Sequence, residues 1–218
     1  MHSTFAVRCL RCIFGYRVGV FTRATRIDDL PAVYRICHEN GLPDDGSERS
    51  PELLGHVYVG PYLVAPGTRS IVVVDDKGVG GYLLCARDTR AHEAWVEEHW
   101  LPGLRTDLPL GHPRSHADQE VVELLHSPEL APDDVVEEYP AHLHVDMLER
   151  LRGRGLASAL IEDLCAQLAD EGLRGIHLNV GTDNEGAIRL YRRLGFADVG
   201  RGDSSVYLGR RLQAGAGA

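Results

Sequence analysis

The sequence predicts an α/β or α+β fold built on a mixed sheet, and three observations carry that expectation. Strand-like apolar runs alternate with segments of helical spacing along most of the chain. Two tight-turn signals, Asp75-Asp76-Lys77-Gly78 and Gly202-Asp203, each separate a pair of such runs and mark hairpins. Gly41 and Gly195 stand where helical spacing stops, the position at which a helix end favours glycine. At 218 residues, 44% hydrophobic and 25% charged, the chain can bury a substantial core, which excludes disorder on a large scale.

The elements follow in order. A first strand is expected at residues 18–24, then a helix capped from Thr25 or Asp28 with Leu30, Val33, Ile36 and Cys37 on one face. The turn-rich stretch 42–67 has room for one short helix, near 52–58. Residues 70–74 and 80–86 form the first hairpin. Residues 91–101 have helical spacing, with Trp95 and Trp100 as their large apolar members. Prolines at 102, 109, 113, 128 and 132 then limit the chain to short elements. A strand follows at 141–148, and Leu156, Leu160, Ile161, Leu164, Cys165 and Leu168 make a helix of 153–170. Residues 175–180 read as a buried strand. Thr182 with Glu185 reads as a capping box opening a helix through Leu194. Residues 196–201 and 204–208 close the chain as the second hairpin. One domain is expected over 18–212, after an extension at 1–17 whose structure stays open and before a mobile tail at 213–218.

Charge and cysteine usage narrow the function. Asp and Glu total 32 against 23 Lys and Arg, and a net charge of −9 is the wrong sign for a nucleic-acid binder. Eight of the acids lie between residues 117 and 138 with no Lys or Arg among them. They are either solvated faces or a surface that attracts a cationic amine. The longest uncharged stretch, 53–68, is interrupted by Gly55, Gly60, Pro61 and Pro66, too short and too punctuated to cross a membrane. Arg8, Arg11 and Arg17 interrupt the apolar N-terminus, so no signal peptide is expected, and the reading is a soluble, cytoplasmic protein. Five cysteines do not complete a disulfide framework, and Cys9-x-x-Cys12 lacks the two further ligands of a zinc site. Cys37, Cys85 and Cys165 read as small core residues, and no metal is expected.

The informative segment is the strand 141–148, the turn Arg152-Gly153-Arg154-Gly155-Leu156-Ala157, and the helix it opens. Glycines at such a turn let the backbone curl close to a ligand, and the first amides of the helix have no internal partner. With the helix dipole behind them, these amides suit phosphate or pyrophosphate, and Arg152 and Arg154 add charge. A dinucleotide fingerprint fails, because Ser158 stands where the third glycine belongs and the next strand ends in Asn179-Val180 rather than an acid. A Walker A loop is absent.

Residues 152–157 resemble the Arg/Gln-x-x-Gly-x-Gly/Ala signature of the GNAT acetyltransferase superfamily. Residues 182–196, with Asn184, Ala187, Tyr191 and Gly195-Phe196, resemble its second signature. The stretches 139–146 and 51–62 are similar to a bacterial subgroup related to the acetyltransferase-like C-terminal domain of animal O-GlcNAcase. The resemblance implies a mostly antiparallel, twisted sheet of about seven strands flanked by helices, with residues 87–140 as a long insertion between the third and fourth strands. It implies acetyl-CoA as cosubstrate and direct acetyl transfer to a primary amine, with no metal. The alternative is a non-catalytic acyl-CoA-binding or interaction module.

Carried over residue by residue, main-chain groups of Val145, Asp146 and Met147 hold the pantetheine arm. Amides of Gly153, Arg154, Gly155, Leu156, Ala157 and Ser158, next to Arg152, hold the pyrophosphate. Asn184 contacts the coenzyme, and Tyr191 protonates the departing thiolate. The glutamate that often serves as base is Asn179 here, which cannot accept a proton. His142, His144 and Asp146 alternate on one strand, and His144 is the expected base, unless the bulge common on this strand turns it away. The insertion is expected to shape the acceptor pocket or a homodimer contact.

Overall fold

Runs of Val, Ile and Leu that are buried on both sides make strands, and the first hairpin shows why. Val72, Val73, Leu83, Leu84 and Cys85 are fully buried, so both faces of this pair are covered. The computed structural model describes residues 19–41, 49–112 and 114–213. The expected extension at 1–17, with Cys9 and Cys12, and the tail beyond Gln213 lie outside the described residues.

Seven strands form one sheet: β1 (Phe21–Ala24), β2 (Thr68–Asp75), β3 (Gly78–Ala86), β4 (Ala141–Met147), β5 (Gly175–Gly181), β6 (Ala197–Arg201) and β7 (Ser205–Arg211). Their order is β1-β2-β3-β4-β5-β7-β6. Every neighbouring pair is antiparallel except β4 and β5.

Nine α-helices lie among the described residues: α1 (Leu30–Asn40), α2 (Leu53–Tyr58), α3 (Gly60–Val64), α4 (Thr89–Trp95), α5 (Leu101–Asp107), α6 (His116–His126), α7 (Asp133–Glu138), α8 (Leu156–Asp170) and α9 (Glu185–Arg193). One core layer packs the apolar stripe of α8, with Tyr191 and Phe196, onto Val73, Leu83, Leu143, Ile176 and Leu208. The other packs α1, α2 and α6 onto Val72, Tyr82 and Leu84. Alternate residues of one strand thus feed opposite layers.

Four local expectations are corrected. The described part of the stretch 42–67 holds two helices, because Pro61 sits in the first turn of α3, where its missing N–H costs no bond. Pro102 likewise opens α5 rather than ending the helical run, and a π-helical turn at Val96–Trp100 joins α4 to α5. Between the prolines at 113 and 128 there is room for α6, eleven residues long and capped by Ser115, whose side chain accepts from the Asp118 amide. Finally, Thr182 does not cap α9. Its amide and hydroxyl both go to the Ser204 carbonyl, and Asn184 takes the cap, accepting from the Ala187 amide at 3.1 Å.

Candidate active site

β4 and β5 pair only at Ala141↔Ile176 and His142↔His177, although both strands continue. Beyond His142 they part, and a gap opens between them. The Leu148 amide donates to the Gly80 carbonyl across the β3–β4 ladder, which fixes the alternation. His142, His144 and Asp146 therefore spend their main-chain groups on Ala86, Leu84 and Tyr82. Leu143, Val145 and Met147 direct theirs away from β3, into the gap. Of the expected main-chain contacts, Val145 and Met147 are at the gap and Asp146 is not. The Met147 carbonyl accepts from Arg152 Nε at 2.9 Å and Asn40 Nδ2 at 3.4 Å.

The turn after β4 brings α8 to the same place. Gly153 and Gly155 adopt φ of 70° and 76°, a left-handed conformation that glycine holds without strain. A Cβ at Gly153 meets open space, so glycine supplies conformation there rather than room. Gly155 is the N-cap and offers no capping side chain, and the first intrahelical bond runs from Ala159 to the Gly155 carbonyl. The amides of Leu156, Ala157 and Ser158 are thus left facing outward at the positive end of a fifteen-residue helix. This is a cradle for an anion, and the gap beside it suits an extended amide-bearing arm. Arg154 is exposed, whereas Arg152 is anchored, donating to Asn40 Oδ1 at 2.6 Å besides Met147.

The register of β3 with β4 runs without a shift from Gly81↔Met147 to Ala86↔His142, so the expected bulge is absent on this side. His142, His144 and Asp146 share the face covered by α1. Tyr82, opposite Asp146, donates to Asp146 Oδ2 at 2.6 Å and lies 2.9 Å from His144 Nε2. His144 Nε2 is 3.2 Å from Asp146 Oδ2. Burial, the largest single influence, works against the charged imidazole, but Asp146 and Cys37 together outweigh it, and the His144 pKa is raised to about 10. That is the range of an alkylammonium. Burial pushes the Tyr82 phenol well up, and Asp146 adds to it. Tyr191, on α9, is buried, and its phenol is raised first by burial and then by the nearby Asp146 carboxylate. The Asp146 charge thus favours the protonated form of both expected catalytic side chains. Asn184, besides capping α9, stands one helix turn before Ile188 and opens the same helix that carries Tyr191.

Outside the pair, the half-buried His142 stands in a row with two buried imidazoles, His92 and His177. Ring centroids separate His92 from His142 by 5.4 Å and His142 from His177 by 5.6 Å. His142 Nδ1 is 2.8 Å from Thr89 Oγ1, and His177 Nδ1 is 2.6 Å from the Tyr139 carbonyl. Burial lowers all three, His92 to about 4, so they stand neutral at pH 7. On the other side of His144 the Tyr58 ring lies parallel to it, 6.1 Å away, and is 40% exposed. Sequence reasoning missed Tyr58 and Tyr82, which only cross-strand register and helix docking bring to the site.

The insertion between β3 and β4 reaches this region. Trp100 donates to the His56 carbonyl at 2.9 Å and so ties the insertion to α2. Several acids of the charged run are internal ties: Asp118 accepts from the Ser50 amide and hydroxyl, Asp133 from Arg90, and Glu138 from Arg211. Glu129 instead raises the phenols of Tyr58 and Tyr207, secondary to their burial. Asn179 stands opposite Tyr207 across the β5–β7 pair and works against the rise of its phenol. No helix among the described residues is long and apolar enough to cross a membrane.

Comparison with known proteins agrees with this geometry. Residues 116–196 match the model of the Acetyltransferase (GNAT) family. The crystal structure of SsHAT superposes with a TM-score of 0.78 at 32% identity, covering 89% of this chain and 98% of that one. A GNAT superfamily phosphinothricin acetyltransferase of Sinorhizobium meliloti, solved with AcCoA, shares the fold at a TM-score of 0.52 and 16% identity, covering 92% of each chain. Among curated relatives, Protein O-GlcNAcase of Rattus norvegicus is 25% identical over 195 residues, 84% of this chain and 21% of the relative. The chain therefore spans about a fifth of the length of that relative. The match agrees with the narrower resemblance noted in residues 51–62 and 139–146. On its fold and on this likeness the chain belongs to the GNAT acetyltransferase family.

Proposed function

We propose that the protein transfers the acetyl group of acetyl-CoA directly to a primary amine. The observation that carries the reading is the parting of β4 from β5 after His142, beside the uncapped N-terminus of α8. Amides from Gly153 to Ser158 hold the pyrophosphate, with Arg154 and Arg152 alongside. Val145 and Met147 hydrogen-bond the pantetheine arm as a neighbouring strand would, and Asn184 meets the coenzyme through its amide nitrogen. A main-chain amide of the same strand stabilises the oxyanion as the carbonyl becomes tetrahedral.

The amine lone pair forms the new C–N bond, and the C–S bond breaks. His144, oriented by Asp146 and Tyr82, accepts in its neutral form the proton that the amine loses. Its raised pKa makes that form scarce at pH 7, and the neutral fraction grows as pH rises towards 10. Tyr191 hands its phenolic proton to the departing sulfur. The raised affinity of that phenol keeps it protonated at neutral pH. Glu129 and the exposed Tyr58 ring beside His144 favour a cationic acceptor, for which an aromatic face and a carboxylate are both attractive.

The test is acetyl-CoA-dependent thiol release with a panel of primary amines: polyamines, aminosugars, and peptides with a lysine or a free N-terminus. Turnover with one class is expected, reduced about a hundredfold or more in Tyr191→Phe while acetyl-CoA binding persists. Binding of acetyl-CoA with no turnover on any amine would favour the non-catalytic alternative.

A further inference from the structure

In sequence, His144 and Asp146 are two ligand-type residues without a third. The fold supplies one from α1, which packs over the same face of the sheet. Cys37 Sγ, a His144 ring nitrogen and an Asp146 carboxylate oxygen all lie within 4.8 Å of one another. Thiolate, imidazole and carboxylate are the three donor types that hold Zn2+. Two such ligands at ~2.0 Å from a tetrahedral ion stand about 3.3 Å apart, and His144 Nε2 to Asp146 Oδ2 is 3.2 Å. The Tyr82 hydroxyl donates to Asp146 Oδ2 and lies 2.9 Å from His144 Nε2, so it holds both ligand atoms in place, and an ion on Nε2 takes over that second contact. Cys37 is buried, whereas the side chains of His144 and Asp146 are 31% and 25% exposed, so an ion can reach the cluster from solvent. Three protein ligands leave a fourth position for water or substrate.

We propose that Cys37, His144 and Asp146 form a Zn2+ site, and that the bound ion switches the enzyme off. Binding forms the Zn–S, Zn–N and Zn–O bonds and releases the Cys37 thiol proton, and any proton on His144, to solvent. With its nitrogen on the metal, His144 has no lone pair for the acceptor's proton. Metal binding stands on the geometry alone; the inhibitory half rests on the reading of His144 as proton acceptor.

The full chain, stripped with EDTA and exchanged into metal-free buffer, is titrated with Zn2+ against a chromophoric chelator. A Cys9→Ser/Cys12→Ser variant, which removes the other cysteine pair, is measured in parallel, as are Cys37→Ser variants of both. One equivalent is expected to bind with and without the Cys9/Cys12 pair, at least tenfold more weakly once Cys37 is replaced. Co2+ added to the Cys9→Ser/Cys12→Ser protein, whose Cys37 is intact, is expected to give a thiolate-to-cobalt charge-transfer band; this reading does not depend on how the Cys37→Ser protein folds. Zn2+ is expected to suppress acetylation in the wild type, reversibly with EDTA, and to leave Cys37→Ser turnover untouched. Zinc binding that Cys37→Ser leaves as tight as before, or that vanishes with Cys9 and Cys12, overturns the site. Binding at Cys37 without loss of turnover overturns only the inhibitory half, and because binding is read without turnover, failure of the acetyltransferase reading leaves the metal result intact.

Discussion

The Tyr82 hydroxyl stands 2.6 Å from Asp146 Oδ2 and 2.9 Å from His144 Nε2, joining β3 to β4 through a phenol that has no exposed surface. A donor held this rigidly fixes where the carboxylate points, and the carboxylate in turn fixes the imidazole. Such an arrangement stabilises one orientation of the expected proton acceptor rather than adding a reacting group of its own.

Tyr82→Phe removes one hydrogen bond to an ionised carboxylate and leaves the ring in place. A bond of this kind is worth about 1.5–3 kcal/mol, so kcat is expected to fall about tenfold or more. The Kd for acetyl-CoA is expected to stay unchanged, because Tyr82 lies on the face away from α8. Steady-state kinetics alongside calorimetry checks both halves. An unchanged kcat would show that the phenol is only packing.

His92, His142 and His177, whose pKa values are lowered, make the fold less stable in acid, whereas His144, whose pKa is raised, works in the opposite direction. His92 is 7% exposed, its Nδ1 has no hydrogen-bond partner, and it faces Tyr62 on α3 and His142 on β4, with His177 beyond. Its folded pKa of about 4 lies below the unfolded value of ~6.5. Below ~6.5 the unfolded chain binds the proton that the folded chain refuses, so stability falls as pH drops from there towards 4. His92 alone accounts for about 2 kcal/mol between pH 8 and pH 5. His144, with its raised pKa, gains stability over the same range, so the His92 contribution is read as the difference between proteins. In urea unfolding at the two pH values, His92→Gln is expected to lose less stability with acid than the wild type, by about 2 kcal/mol. The same pH dependence in both proteins would contradict a buried neutral His92.

Gly60 marks where the insertion closes on α3. A Cβ there would stand 2.4 Å from the Trp100 ring and 2.5 Å from the Tyr34 hydroxyl. Gly60→Ala is therefore expected to destabilise by about 1–3 kcal/mol, the usual cost of overpacking. Displacing Trp100 disturbs the insertion and not the cradle, so the acceptor KM is expected to rise while acetyl-CoA affinity holds. Thermal unfolding and a two-substrate kinetic analysis separate these effects.

Much of this was legible because it is local. Apolar runs flanking turn signals gave the strands of both hairpins, helical spacing gave α1 and α8, and the 152–157 turn gave the cradle with its two left-handed glycines. The alternation of His142, His144 and Asp146 also placed them on one face, as the unshifted register shows. The failures are non-local. Thr182 looks like a cap until its hydroxyl finds Ser204 across the β6–β7 turn. Pro102 reads as a terminator unless a π-helical turn precedes it. Tyr82 and Cys37 read as core residues, because nothing within either segment records the pairing that sets them against Asp146. The divergence of β4 from β5 has no local signal at all.

The most direct test of the cradle is calorimetric titration of acetyl-CoA into the wild type and into Gly155→Glu. A glutamate at this position must adopt a φ near 76° and brings a carboxylate to the amides that would hold the pyrophosphate. The wild type is expected to bind one acetyl-CoA per chain. Gly155→Glu is expected to lose that binding while keeping its far-UV circular dichroism and a cooperative melt. Absence of binding by the wild type, or equal binding by the folded variant, would contradict the account.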